Sequence, residues 1–292
     1  MNTLVLHFNR VLPSEEHVAG YLLRLSRPRF WLYLAGPVLV GIAYAADSVA
    51  ALFTPVTVAL FAYFLLPANV FLYGVNDIFD AEIDAENPKK SDREVRYRGE
   101  RFVPWIVAFS GLLGLGLLPV LPPIGIAAML AFIALSIQYS APPLRLKTTP
   151  VFDSLSNGLY ILPGVVAYAA VAGHAPPTAA IVGGWLWTMG MHTFSAIPDI
   201  EPDSAAGIET TATWLGESRT YLYCAGCWLV AAVVFGTVHP FFAALLGIYP
   251  VFVGLVALTD LSVKRAYWWF PALNTVVGTL FTLGALWVMF YG

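Results

Sequence analysis

Apolar residues fall along this chain in blocks of about 20, the length that carries a helix across a bilayer core of roughly 30 Å. Prolines and charge clusters separate the blocks, and the short alternation typical of barrel strands is missing. The pattern predicts helices near 29–46, 53–75, 103–121, 123–140, 151–171, 179–197, 220–237, 239–258 and 267–290. Pro122-Pro123 and Pro176-Pro177 mark short turns on one side, and the longest polar connections, 76–102 and 198–219, lie on the other. With nine spans so placed, all 15 Lys and Arg share one face. Arg10, Arg24, Arg27 and Arg29 lie at its start, Lys89 to Arg101 after the second span, and Arg145 and Lys147 after the fourth. Arg219 follows the sixth, and Lys264 and Arg265 follow the eighth. Such one-sidedness predicts a cytoplasmic N-terminus and an outside C-terminus. The expected fold is therefore all-α: an integral membrane bundle of nine transmembrane helices, with 29–292 a single domain and 1–28 a cytoplasmic or interfacial segment. That segment lacks an uninterrupted apolar core and is not read as a cleaved signal peptide.

Composition strengthens this picture. The chain is 59% hydrophobic and 11% charged, against roughly 25% charged in soluble domains. A net charge of −3, confined to short stretches, gives no basic surface for nucleic acid. The two cysteines, Cys224 and Cys227, sit inside an apolar block with no second pair or nearby His, and are read as packing residues.

Seventeen of the 18 acidic residues share the basic face, Asp47 being the exception. The positive-inside rule does not require them there, so they want a local reason. Asn76-Asp77-Ile78-Phe79-Asp80-Ala81-Glu82-Ile83-Asp84 continues an apolar helix directly. At ~100° per residue, Asp77, Asp80 and Asp84 fall within about 60° of arc, with Asn76 at its edge. Carboxylates on one stripe repel unless a cation neutralises them or water solvates them. Asp199-Ile200-Glu201-Pro202-Asp203 ends another span, with its two Asp about 40° apart on a helical projection. Spans 1–4 and 5–8 echo one another in residue class, and such a repeat would bring both acidic ends to one mouth. Five carboxylates and an amide oxygen would then form a hard-oxygen set suited to magnesium, which commonly bridges to phosphate oxygens. Arg145 and Lys147, on the proline-stiffened turn Tyr139-Ser140-Ala141-Pro142-Pro143-Leu144-Arg145-Leu146-Lys147, would balance a diphosphate. Arg93 is a further candidate for that task.

These residues together resemble the UbiA superfamily of intramembrane prenyltransferases across essentially the whole chain. The resemblance rests on N-D-x-x-D-x-x-x-D at 76–84, Y-S-A-P-P-L-R-L-K at 139–147, D-x-x-x-D at 199–203, and Gly207, Thr210, Thr211 and Gly216 in the pattern G-x-x-T-T-x-x-x-x-G. It implies nine helices around a central cavity open laterally to lipid. It also implies that Asn76, Asp77, Asp80, Asp84, Asp199 and Asp203 hold Mg2+ and diphosphate, with Tyr139, Arg145 and Lys147 at its border. Where the family often has Arg-Pro after the first motif, this chain reads Asn87-Pro88-Lys89-Lys90-Ser91-Asp92-Arg93-Glu94. The run 66–80 is most similar to the lycopene elongase branch, some of whose members also hydrate. The resemblance thus implies transfer from dimethylallyl diphosphate to the ends of lycopene, toward C45 and C50 carotenoids, at the cytoplasmic face of the cell membrane. Magnesium and the basic groups would draw charge onto the leaving diphosphate, and the terminal double bond of lycopene would attack the allylic cation.

Two intramembrane polar residues lie below the acidic motifs. Asn69 projects within about 20° of Asn76, and His192 within about 20° of Asp199. Asn69 is read as structural, whereas His192 is expected to face the cavity and to position a water or take the terminal proton. Asp153 is read as an N-terminal cap of the fifth span. Two rivals stand: a prenyltransferase acting on aromatic quinone precursors or glycerol-ether lipids, and a transporter using the carboxylates as a cation site.

Overall fold

Prolines set many of the helix starts. Pro55, Pro123 and Pro240 open their helices, where an absent N–H leaves no bond unmade. The computed structural model describes residues 13, 17–85, 97, 99–259 and 261–292, excepting the side chains of 82–85. Among them there is no strand. The main helices are α1 (Val18–Leu25), α2 (Trp31–Ala45), α3 (Pro55–Leu65), α4 (Pro67–Ala85), α5 (Val103–Gly116), α6 (Pro123–Ser140), α7 (Leu162–Ala172), α8 (Thr178–Ala196), α9 (Glu217–Gly236), α10 (Pro240–Leu246), α11 (Ile248–Leu258) and α12 (Val263–Tyr291). One-turn helices Phe152–Leu155, Ile200–Ala205 and Thr211–Leu215 fill the connections near the acidic motifs.

Seven stretches of the described residues are long and apolar enough to cross a membrane, so the chain is a multi-pass membrane protein. The two other expected spans are helical too. Of these, α2 has only 15 residues, while α8 has 19 but is diluted by Gly183, Gly184, Thr188, Gly190, His192 and Thr193. A helix that lines a polar cavity need not be apolar all round.

Small residues set how closely the helices approach. A Cβ on Gly41 of α2 would run into the carbonyl oxygen of Gly164, two residues into α7, and a Cβ on Gly164 would lie 2.8 Å from the carbonyl oxygen of Pro37. Backbone meets backbone along this seam, the usual use of small residues in membrane bundles. Helix α1 also belongs to the packed bundle: Tyr21 and Leu25 are buried against Val70, Phe71 and Val75 of α4 and Val103 and Val107 of α5. Cys224 and Cys227 are buried free thiols.

The apolar run 49–81 is continuous in sequence, yet its helix breaks at Leu66-Pro67, because Pro67 has no N–H to carry the ladder on. Asn69, wholly buried, donates from Nδ2 to the carbonyl oxygens of Phe64 (2.9 Å) and Leu65 (3.0 Å). Its amide thus serves the end of α3, the structural role expected of it. Replacing it by Leu should cost about 1–3 kcal/mol through stranded backbone acceptors. The check is a lower melting temperature in detergent, with activity per folded molecule unchanged.

Candidate functional site

The first acidic motif ends α4, and its stripe faces inward. Asp77 and Asp80 are buried, at 5% and 7% exposure. Two carboxylates so placed need cations, and the chain supplies three. Arg27 Nη2 lies 2.9 Å from Asp77 Oδ1, Arg145 Nη2 lies 3.2 Å from Asp80 Oδ1, and Lys147 Nζ is paired with Asp80 Oδ2. Lys147 also donates to Asn76 Oδ1 at 3.1 Å, an oxygen that Ser140 Oγ reaches at 3.3 Å. Among these five side chains two carboxylates face three cations of the kind that bind phosphate oxygens.

Backbone conformation marks two of these cations. Among the described residues only Arg27 (φ 50°), Arg145 (φ 43°) and Val151 (φ 71°) are non-glycine residues with positive φ. Left-handed backbone costs an L-residue roughly 1–2 kcal/mol and persists only where its surroundings hold it. Here both arginines are held by motif carboxylates, and Arg27 also lies over the Tyr73 ring, 4.6 Å from its centroid.

The second motif follows α8 through a tight turn, Ile197–Asp199, and enters Ile200–Ala205. Pro198 and Pro202 therefore break the simple helical projection, as their positions suggest. Asp199 is exposed and Asp203 half-buried. Among the described residues no three His, Cys, Asp or Glu stand close enough to hold a bare metal ion. That donor set fits a magnesium that keeps waters and shares phosphate oxygens, since such an ion needs only one or two protein carboxylates. Asp77, Asp80, Asp199 and Asp203 are the described carboxylates that could serve it. The Asp84 side chain and Arg93 lie outside the described residues.

Below the motifs lies a cavity of about 170 Å³ lined by Arg27 and by Asn76 of α4, Tyr139 of α6, and His192 and Ser195 of α8. Helix α4, which ends in the first motif, and helix α8, which precedes the second, therefore line one chamber. His192 Nε2 is 3.4 Å from Tyr139 Oη and 4.0 Å from Asp153 Oδ2. Asp153 is 1% exposed. It sits in the first turn of Phe152–Leu155, but its carboxylate serves another segment and not its own helix. It accepts the Thr211 N–H at 3.0 Å and the Thr211 hydroxyl, and Thr211 Oγ1 in turn accepts the Val151 N–H at 2.7 Å. This explains the G-x-x-T-T-x-x-x-x-G stretch. Gly207 and Gly216 turn the chain at φ 68° and 72°, conformations natural to glycine. Thr210 caps Thr211–Leu215 through a reciprocal bond with Thr213, and Thr211 clips the turn onto Asp153.

A second, larger cavity of about 560 Å³ lies between α2, α7, α8 and α12 and is lined mainly by apolar side chains and by Gly36, Gly41 and Gly164. The two chambers share one lining residue, Tyr33.

Residues 34–277 match the UbiA prenyltransferase family. This chain belongs to that family. As a UbiA protein it is a prenyltransferase, which decides between the enzyme and transporter readings. It is 64% identical to the lycopene elongase/hydratase of Haloarcula japonica over 97% of this chain and 96% of that one. It is 62% identical to the enzyme of the same description from Haloferax volcanii, over 93% and 90%. Among solved structures, a UbiA homolog from Archaeoglobus fulgidus bound to DMAPP and Mg2+ superposes with a TM-score of 0.72 at 18% identity, covering 93% of this chain and 99% of that one. The all-helical fold is thus the UbiA fold.

Sequence reasoning about this UbiA protein missed three parts of the site. Arg27 was counted only as a topology charge, although it pairs with Asp77 fifty residues away. Asp153 was read as a local cap. The aromatic wall of the small chamber, Phe30, Tyr33, Tyr73, Tyr160, Tyr267 and Phe270, could not be picked out of a chain that is 14% aromatic. Only the position of Arg27, just before the first span, hinted at its place.

Proposed function

We propose that this enzyme transfers a dimethylallyl group from dimethylallyl diphosphate to the ends of lycopene, using Mg2+, the product cation ending by capture of water or by loss of a proton. The observation that carries this reading is the pairing of chambers: a 170 Å³ polar-mouthed space beneath the first motif, adjoining a 560 Å³ apolar one at Tyr33. At roughly 30 Å³ per water-sized group, the smaller space is on the scale of a five-carbon group. The larger suits the end of a long polyene drawn from lipid.

In this reading Asn76, Asp77, Asp80, Asp84, Asp199 and Asp203 hold the metal-bound diphosphate, with Asp84 assigned by its motif alone. Tyr139, Arg145, Lys147 and Arg93 border it, Arg93 again by sequence position. Bound magnesium supplies neutralisation of charge on the departing diphosphate. Arg145 and Lys147 turn from Asp80 toward the phosphate oxygens and hold the leaving group. Phe30, Tyr73, Tyr160, Tyr267 and Phe270 of the aromatic wall keep bulk water out and face the allylic cation with π-electron density. His192 takes up the proton released at the end, and the proton arrives 4.0 Å from a fixed carboxylate, Asp153. The chain is read as one domain crossing the cell membrane nine times, N-terminus and catalytic mouth cytoplasmic, with 1–28 at the interface.

The deciding experiment is pigment extraction from a lycopene-producing host that expresses this chain. A mass gain of one or two five-carbon units, with or without water, is expected. Unaltered lycopene, together with transfer from longer diphosphates to aromatic acceptors in isolated membranes, would overturn the assignment. His192→Ala should lower the rate by about a hundredfold to ten-thousandfold, a general base's share, and change the proportions of end products. An unchanged rate with unchanged proportions removes His192 from the mechanism.

A further inference from the structure

The larger chamber is mainly apolar, and among its polar groups is an ordered string of three side chains from three helices. Tyr249 Oη of α11 donates to Asn274 Oδ1 of α12 at 2.9 Å, and Asn274 Nδ2 donates to Tyr33 Oη of α2 at 3.2 Å. All three line the chamber. Asn274 lies eleven residues past Val263, the start of α12, or about 16 Å along the helix axis. An amide at that depth carries a desolvation cost that an apolar residue would avoid. The polarity of the string also matters. Asn274 spends a donor on the Tyr33 oxygen, so the Tyr33 hydroxyl proton is directed elsewhere. Tyr33 is also the one residue that lines both chambers.

We propose that the Tyr33–Asn274–Tyr249 string holds the water that ends the reaction by hydration, and so sets the balance between hydrated and unhydrated products. This rests on the assignment of the small chamber to the donor and the large one to the polyene. When the terminal double bond of the acceptor attacks, its π pair forms the new C–C bond. The C–O bond to diphosphate breaks, its electron pair leaving with the oxygen. Positive charge passes to the tertiary carbon of the acceptor. That carbon lies at the junction, because its neighbour has just bonded to a group in the small chamber while its own chain runs through the large one. A water accepting from the Tyr33 hydroxyl presents a lone pair there. The C–O bond forms, and the released proton passes to His192 Nε2 in the facing wall. Without that water, the proton is lost from an adjacent carbon and an alkene results.

The test uses the full chain in lycopene-producing cells, with pigments separated by mass. Tyr33→Phe removes one oxygen, and Asn274→Leu removes the amide at nearly constant size. In both, the hydrated share of the prenylated products should fall by about tenfold or more, as expected for loss of a positioning hydrogen bond. An unchanged hydrated share overturns the proposal. So does a parallel loss of elongation and hydration, which would mark the string as a helix staple only, and so does a parent enzyme that elongates without ever hydrating. Failure of the parent to add any prenyl group to lycopene would instead refute the acceptor assignment, a result distinct from any effect of the variants.

Discussion

Asp80→Asn should reduce prenyl transfer by about a thousandfold, roughly 4 kcal/mol of transition-state stabilisation. Asp80 is the acid on which Arg145 and Lys147 converge, so removing its charge weakens the proposed metal ligand and misdirects both diphosphate partners. The asparagine keeps the side-chain shape and an oxygen acceptor for Lys147, which has only 13% of its side chain exposed. Asp80→Ala is the poorer probe, because stranding a buried cation costs about 3–5 kcal/mol of stability by itself. The measurement is turnover of labelled dimethylallyl diphosphate in membranes containing matched amounts of enzyme. Activity within a few-fold of the parent would mean that the first motif is not the catalytic centre.

Gly41→Ala should destabilise the bundle by about 3 kcal/mol or more, through overpacking against backbone that cannot rotate away. The added methyl meets the Gly164 carbonyl oxygen and lies 3.1 Å from the Tyr168 nitrogen. Gly36 provides the contrast. It lines the same chamber one turn earlier, yet a Cβ there meets nothing within 4 Å. Gly36→Ala should therefore be neutral or gain the roughly 0.5–1 kcal/mol that alanine offers a helix. Thermal melts of the two variants in detergent should diverge, and equal melting temperatures would show that the α2–α7 seam is looser than its geometry requires.

The bundle itself was legible because a lipid-facing helix must be apolar for its whole length, a demand that writes itself into consecutive residues. The breaks were harder. The fifth span reads as one apolar run over 151–171, yet it comprises Phe152–Leu155, a tight stretch Ser156–Tyr160 and α7. Gly158 there presses against the Trp185 ring, a contact that no local periodicity encodes. In the site, spacing alone set Asp77 and Asp80 on one inward face of α4, whereas Asp199 and Asp203 lie beyond the end of α8, where prolines break the helical projection. The distant partners were not legible, because the ion pair of Arg27 and the clip from Thr211 to Asp153 span 50 and 58 residues. A pattern along one helix fixes which face a residue occupies, and says nothing about which distant segment folds over it.

The cations on Asp77 and Asp80 bear on how the empty enzyme survives. A row of like charges at a membrane surface would ordinarily pull toward water and fray its helix. Arg27, Arg145 and Lys147 act as built-in counter-ions to that row. In the proposed mechanism, loading substrate becomes an exchange of ionic partners, and the turn 141–147 is the part that must let go.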